Sequence, residues 1–378
     1  MKTESYDTIV IGGGQAGLSV GYHLAKRNVR FIILDENERV GDAWRKRWDS
    51  LRLFTPARFN GLPGLPFDAS KWSFPTKDEM ADYLEAYAER FSLPMRTGVR
   101  VVSIAQEDGQ FVVSLGDERL EAENVVVATG ALRIPKLPPF AGELDPRIVQ
   151  LHSAEYRNPS QLQDGDVLVV GVGNSGAEIA YELAETRRSL LAGTSNGEIP
   201  VPHGSRRSHV AFRAIRFFGH HVLRTDTRIG RKLGPKVAAK GPPLIRRREA
   251  DLAAVSIERV ARVSGVQDGL PLLEDGGVLD VANVVWCTGF RTDFSWIDLP
   301  AFDADGRPVH ERGVVESVPG LYFAGLIFQY SLTSDVLPNG GRDAQYVARH
   351  IAARQVKGPA GLGKGTSTRP REGLPAQI

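Results

Sequence analysis

The sequence predicts an α/β fold: two similar units, one nested within the other, each built on a parallel sheet, plus a small antiparallel meander. Three observations predict it. Residues 6–35 run strand, glycine turn, helix, strand. Residues 166–192 repeat that order. Buried apolar runs at 125–127 and 281–287 each lead into a Thr-Gly pair, Thr129-Gly130 and Thr288-Gly289.

The first unit opens with the apolar run 8–11, the pattern of a buried strand. Gly12-Gly13-Gly14-Gln15-Ala16-Gly17 follows and fits G-x-G-x-x-G at Gly12, Gly14 and Gly17. A helix is predicted over 15–26, and a second apolar run, Phe31–Leu34, ends on Asp35. A carboxylate about 20 residues past the glycines completes a Rossmann-like dinucleotide fingerprint. Gly12 permits the tight turn, Gly14 lets a pyrophosphate approach the backbone, and Gly17 lets the helix pack on the strand. The helix N-terminus offers free N–H groups to the phosphates, and Asp35 would accept hydrogen bonds from ribose hydroxyls.

Past Asp35, Gly41, Trp44 and Arg45 lie in a loop. Residues 50–66 are apolar but interrupted by Pro and Gly, so they read as an ordered loop over a ligand. Thr76 and Glu79 form a capping box that opens a helix to about Phe91. Residues 99–104, 111–115 and 119–120 read as the meander, with Asp108-Gly109 as its turn. A Pro-rich connector spans 135–139.

In the second unit, 166–170 is the strand, Gly171-Val172-Gly173-Asn174-Ser175-Gly176 the turn, 177–186 the helix and Ser189–Ala192 the next strand. The offset that reaches Asp35 in the first copy reaches Thr194 here, with Ser195 beside it. No carboxylate stands there to repel a 2′-phosphate and no arginine to bind one; Arg206 and Arg207 are the nearest cations downstream. The expectation is weak discrimination between NADPH and NADH, leaning to NADPH. Residues 202–248 are strongly basic, Asp226 being their one acid, with Phe212, Ile215, Phe217 and Phe218 interleaved. Two readings compete: a membrane-surface or anionic-partner patch, and a solvated helical insertion whose aromatics face the core or a substrate tunnel. The second is preferred, the aromatic run being short for an interfacial helix. Residues 252–255, 257–263 and 281–287 read as strands, 321–324 as a further strand closing on Gly325, 328–342 as a loop over a cofactor ring, and 343–354 as a helix. The tail, 357–378, reads as disordered.

Composition is that of an ordinary globular chain: 378 residues, net charge +2, 42% hydrophobic and 24% charged. The charge gives no pointer to nucleic acid. The single cysteine, Cys287, excludes an internal disulfide and a Cys-x-x-Cys relay, and reads as a packed thiol. No apolar run reaches the ~18 residues of a spanning helix. The first strand begins within a few residues of the N-terminus, so no signal peptide is expected and the expected location is cytoplasmic. No Ser/His/Asp or metal-ligand pattern stands out, so no metal is expected.

Together, Gly12–Gly17 with Asp35, Gly41-x-x-Trp44-Arg45, Ala128-Thr129-Gly130, Gly171–Gly176 and Cys287-Thr288-Gly289-Phe290 resemble the flavin-containing monooxygenases, most closely a short bacterial branch associated with metal-ion or potassium transport. The likeness covers about 6–354. It implies FAD on the first fingerprint, with residues 1–158 and 290–356, and NAD(P)H on the second, with 159–289. Gln15, Ala16, Val101 and Gly325 join the positions around the flavin nucleotide on the same resemblance. The family's Phe-x-Gly…His-x-x-x-Tyr signature is present but stretched, as Phe140-x-Gly142 and then His152 and Tyr156. Many members carry an asparagine near the flavin; the corresponding segment here holds Phe54 and Asn60. Phe54, Asn60, His152 and Tyr156 are therefore the expected catalytic-side positions, although the chemistry is mainly the cofactor's. The implied reaction is NAD(P)H- and O₂-dependent oxygenation of a small sulfide, amine or ketone through a C4a-hydroperoxyflavin. Dimers are common in the family. An NAD(P)H:acceptor reductase or oxidase and a flavin-bound regulator of ion transport are the alternatives.

Overall fold

The computed structural model describes residues 4–130, 134–337 and 340–357. The predicted disordered tail lies outside the described residues, apart from its first position. The chain begins β1 (Glu4–Ile11), α1 (Gln15–Ala25), β2 (Phe31–Leu34), α2 (Asp42–Arg45), α3 (Lys77–Arg90), β3 (Met95–Arg96), β4 (Ser103–Glu107), β5 (Gln110–Ser114), β6 (Arg119–Val127) and β7 (Ile134–Pro135). It continues with β8 (Val149–His152), β9 (Val167–Val170), α4 (Asn174–Leu183), β10 (Ser189–Ala192), α5 (Arg206–His221), α6 (Arg228–Lys240), α7 (Glu249–Ala254) and β11 (Glu258–Val260). Then come β12 (Val263–Gln267), β13 (Leu270–Leu273), β14 (Asn283–Trp286), β15 (Phe290–Arg291), β16 (Leu321–Phe323) and α8 (Gly340–Lys357).

The first sheet has the order β3-β2-β1-β6-β5-β4. One edge of β6 serves two partners: Arg119–Ala122 pair antiparallel with β5, and Val125–Val127 pair parallel with β16. The meander is thus an extension of the main sheet. Its β4–β5 turn places Asp108 at φ 48° and Gly109 at φ 82°. This double left-handed geometry suits the right-handed twist of a hairpin. Alternate residues feed opposite faces. Val10, Ile33 and Val126 join α1, α3 and α8 in one core; Ile9, Ile11, Ile32, Leu34, Val125 and Val127 join Phe294, Ile297 and Phe323 in the other. Both faces are covered, which is why these strands read as unbroken apolar runs.

The second sheet, β11-β10-β9-β14-β8, is parallel throughout. It too is buried on both faces, with Val167, Val169 and Val285 under α4 and Leu168, Val284 and Trp286 opposite. Two sequence expectations change here. Strand β8 belongs to this sheet and Trp286 Nε1 donates to Gln150 Oε1 across 3.0 Å, so the second unit takes in residues upstream of 159. Residues 252–255, expected as strand, fall in and just past the short helix α7, because Asp251 accepts from the Arg248 backbone N–H and caps its start.

The predicted capping box is formed. Thr76 accepts from the Glu79 N–H at 3.1 Å, and Glu79 accepts from the Thr76 N–H at 2.7 Å. The basic insertion forms α5 and α6, but its aromatics correct the reading of the sequence. Phe212 turns inward beside Ile199, Val201 and Ile245, whereas Ile215, Phe217 and Phe218 are exposed. The buried side of α5 is only a narrow stripe, at Ser208 and Gly219, which is too small to take every aromatic.

Candidate active site

The two glycine turns have the same construction. Gly12 sits at φ 107° and Gly171 at φ 109°. L-residues avoid that region. A Cβ on Gly17 would lie 1.8 Å from the Gly12 carbonyl oxygen, and one on Gly176 would lie 1.9 Å from that of Gly171. The middle glycines differ in kind: a Cβ on Gly14 or Gly173 would meet nothing within 4 Å. Each middle glycine is the N-cap of its helix, and neither α1 nor α4 has a side-chain cap. By contrast α3 and α5 are capped, by Thr76 and Ser205. Uncapped N–H groups beside open space at a helix N-terminus form an anion site. Both turns therefore fit a pyrophosphate, by the space they leave and by the donors they present.

Asp35 lies where the first fingerprint requires it, accepting from the backbone N–H of Gly13 and of Asn37. Val101 packs against the cluster that contains Leu34. Gly325, φ 83°, closes on the first turn, since a Cβ there would be 2.9 Å from Ala16 Cβ. Gln15 reaches from α1 to the opposite loop, donating to the Asp335 carbonyl at 3.0 Å. Thr129-Gly130 follows β6, and Thr288-Gly289 stands just past β14, with Gly130 at φ 78° and Gly289 at φ 84°. Thr288 donates its hydroxyl proton to the Lys136 carbonyl.

Several expected site residues have other duties. Arg45 donates to the Val40 carbonyl and to Asp42, Asp82 and Glu85, so it fastens α2 to α3; Trp44 is half-buried on the α1–α3–α8 core. Asn60 is fully buried: its Oδ1 accepts from Thr55 Oγ1 at 2.5 Å and its Nδ2 donates to the Thr55 carbonyl at 3.1 Å. That amide braces the 55–60 loop through both its oxygen and its nitrogen. Tyr156 is fully buried in the second unit and donates to Glu182 at 2.8 Å; burial and that partner raise its pKa. Asn174 holds residues 243–245 through the Pro243 carbonyl and the Ile245 N–H, while Ser175 stays at the start of α4. In this structure the polar groups of Arg45, Asn60 and Tyr156 bond to other parts of the protein.

His152 and Phe54 lie at junctions. Ala154 N–H donates to His152 Nδ1 at 3.1 Å, so the proton of a neutral ring sits on Nε2, which donates to the Gly289 carbonyl at 3.0 Å. Burial pushes the imidazole pKa down, which keeps that neutral form. His152 meets Phe290 edge-on at 5.0 Å, and Arg47 from the first unit lies over the same ring at 5.4 Å. These contacts tie the 287–290 turn to both units. Phe54 is 36% exposed, and its carbonyl accepts from His203 Nε2 at 3.0 Å. Cys287 is half-buried; desolvation pushes its thiol up to about 12. That suits a packed group and not a nucleophile.

Sequence offset missed two cations. Arg262 Nη2 donates to Thr194 Oγ1 at 3.1 Å and Arg259 Nη2 to the Gly193 carbonyl at 2.9 Å. Both come from or just after β11, which pairs with β10; strand pairing, not spacing, brings them to the 193–195 turn. Among the described residues no cluster of His, Cys, Asp and Glu could hold a metal, and no helix is long and apolar enough to cross a membrane.

This fold and these two turns define a flavin-dependent NAD(P)H oxidoreductase. The pattern of the pyridine nucleotide-disulphide oxidoreductase family matches residues 9–200, and the chain belongs to that family. It is 40% identical to a CzcO-like oxidoreductase of Geobacillus kaustophilus, over 91% of this chain and 98% of the relative. It is 28% identical to a probable indole-3-pyruvate monooxygenase, YUCCA3, of Arabidopsis thaliana, over 92% of this chain and 86% of the relative. Among solved structures, a flavin-containing monooxygenase from Stenotrophomonas maltophilia superposes with TM-score 0.74 at 26% identity, covering 93% of this chain and 99% of that one. The chain is a flavin monooxygenase-like oxidoreductase, as its motifs lead one to expect.

Proposed function

We propose that the chain is an NAD(P)H-dependent monooxygenase acting on a small soft nucleophile, a sulfide or amine, or on a ketone. The observation that carries it is the pair of uncapped glycine turns, one per sheet, joined through the His152–Phe290–Arg47 contacts. FAD is assigned to Gly12, Gly14, Gln15, Ala16, Gly17 and Asp35, with Val101, Thr129, Gly130 and Gly325 around it. The nicotinamide nucleotide is assigned to Gly171, Gly173, the α4 N-terminus and Thr194-Ser195. On this assignment the FAD unit is 1–158 and 290–356 less β8, which goes with the nicotinamide unit.

Bound flavin supplies hydride acceptance and oxygen activation. Each turnover takes two electrons from NAD(P)H and two from the substrate; O₂ gives one oxygen to the substrate, and the other leaves as water with two protons. The chain's own part is to position the two nucleotides and to keep water from the reacting atoms. His152 holds the 287–290 turn in place through Nε2. If Phe54 takes the place of the family's asparagine beside the flavin, its side chain offers no hydrogen bond there, and part of the oxygen is then expected to leave as hydrogen peroxide. Incubating the holoenzyme with NADPH, O₂ and methyl phenyl sulfide tests the reading. Sulfoxide together with peroxide is expected. NADPH oxidation that continues without oxygen on an added quinone, with no sulfoxide in air, would instead make it an acceptor reductase.

The lean to NADPH rests on Arg262 and Arg259 in place of Arg206 and Arg207. A guanidinium–phosphate contact contributes about 1.5–3 kcal/mol, so Arg262→Ala should weaken 2′,5′-ADP binding about 10- to 100-fold. Calorimetric titration with 2′,5′-ADP and 5′-AMP checks this. Equal losses for both ligands would remove Arg262 from 2′-phosphate recognition.

A further inference from the structure

The two-helix insertion carries an apolar face that no described residue covers. On α5 the exposed residues Val210, Ala214, Phe217 and Phe218 recur at the i, i+4, i+7, i+8 spacing of a single helical stripe. Val210 is 65% exposed, Phe217 57% and Phe218 55%; on α6, Ile229 is 51% and Leu233 43% exposed. Exposed cations interleave with them, Arg206 and Arg207 on α5 and Arg228, Arg231 and Lys232 on α6, whereas Arg213 and Arg216 turn toward the body, over the Trp72 ring at 5.3 Å and the Phe59 ring at 5.4 Å. The acid of this segment, Asp226, is engaged by Arg224 at 2.8 Å and by the Tyr330 hydroxyl at 2.9 Å.

The opposite side of the insertion is fixed to the body of the molecule. Trp72 stacks on His209 at 3.7 Å, Arg342 donates to the His220 carbonyl, and a Cβ on Gly234 would strike the Phe328 ring at 1.9 Å. The distal basic run is likewise spent inward, Arg246 on Glu178 at 2.7 Å and Arg247 over Tyr181 at 3.5 Å. What remains outward is the combination of aromatic and aliphatic groups with unopposed positive charge. We infer that α5 and α6 dock the enzyme on a membrane surface bearing anionic lipid, with Phe217 and Phe218 in the headgroup–acyl boundary and the arginines on the lipid phosphates. A second copy of the chain is the poorer occupant, because a two-fold contact through this face would set its cations against themselves. A nucleic acid backbone would satisfy the cations but leave Val210, Ile229 and Leu233 without a partner.

Co-sedimentation of the FAD-loaded full chain with vesicles tests this. Binding is expected to phosphatidylglycerol-containing vesicles, not to pure phosphatidylcholine, and to fall as salt rises. A Phe217→Ser/Phe218→Ser double variant should lose about tenfold or more of that affinity while NADPH still reduces its flavin. An Arg228→Glu/Lys232→Glu variant should lose binding in parallel. Light scattering and titration with single-stranded DNA run alongside. Three results would each overturn the proposal: no vesicle binding by the wild type, undiminished binding by the Phe variant, or a dimer or DNA complex that the Phe variant abolishes without any vesicle binding.

Discussion

A Gly173→Asp variant is expected to fold, to keep its yellow flavin, and to lose reduction by NAD(P)H. The backbone at this residue is φ −94°, ψ −175°, open to any residue, and a Cβ there meets nothing within 4 Å. Asp is moreover a preferred N-cap, so the substitution should cost α4 no stability. The new carboxylate would occupy the place proposed for the pyrophosphate. Two like charges about 4 Å apart repel by about 4 kcal/mol at an effective dielectric of ~20, enough for a roughly 100-fold or greater loss of nucleotide affinity. Anaerobic reduction rates against NADPH concentration check this, with thermal unfolding as the control for folding. Reduction at the wild-type rate would take the nicotinamide nucleotide away from this turn.

Its counterpart, Gly14→Asp, is expected to give a folded, colourless protein. The local geometry is again permissive, φ −79°, ψ −171°, with nothing within 4 Å of the added Cβ. The same repulsion now opposes FAD, so bound flavin should fall by about two orders of magnitude at fixed FAD concentration. A Gly17→Ala variant makes a useful contrast, because its Cβ would lie 1.8 Å from a backbone oxygen. That change should destabilise the fold itself, by about 1–3 kcal/mol or more. Flavin content after gel filtration and melting temperature separate the cases. Equal flavin loss with equal destabilisation in both variants would mean that Gly14 is a packing residue.

Much of this is legible in the sequence because the decisive signals are local. Strand, turn, helix and acid follow one another within residues 6–35, and Gly17 answers to a steric limit set by Gly12 five positions earlier. The Thr76–Glu79 capping box and the Asp108-Gly109 turn are local for the same reason. What the sequence hides is pairing between distant segments. Strand β8 is a short Val-Gln-Leu-His run with no signature of its own until β14 lies beside it. Arg262 reaches Thr194 only because β11 pairs with β10. Asn60 and Arg45 are plausible cofactor contacts by type and place, yet Thr55, Asp42, Asp82 and Glu85 engage their polar groups. On α5, period and composition give the helix and its charge, but only the packing shows that Phe217 and Phe218 face outward.

The central claim is that one chain holds a flavin and a reduced nicotinamide on two matching turns so that electrons pass between them. Anaerobic mixing of the purified, FAD-loaded chain with NADPH measures it most directly. The oxidised-flavin absorbance is predicted to bleach, one nicotinamide consumed per flavin. A chain that takes up no FAD, or a bound flavin that stays oxidised under both NADPH and NADH, would contradict it.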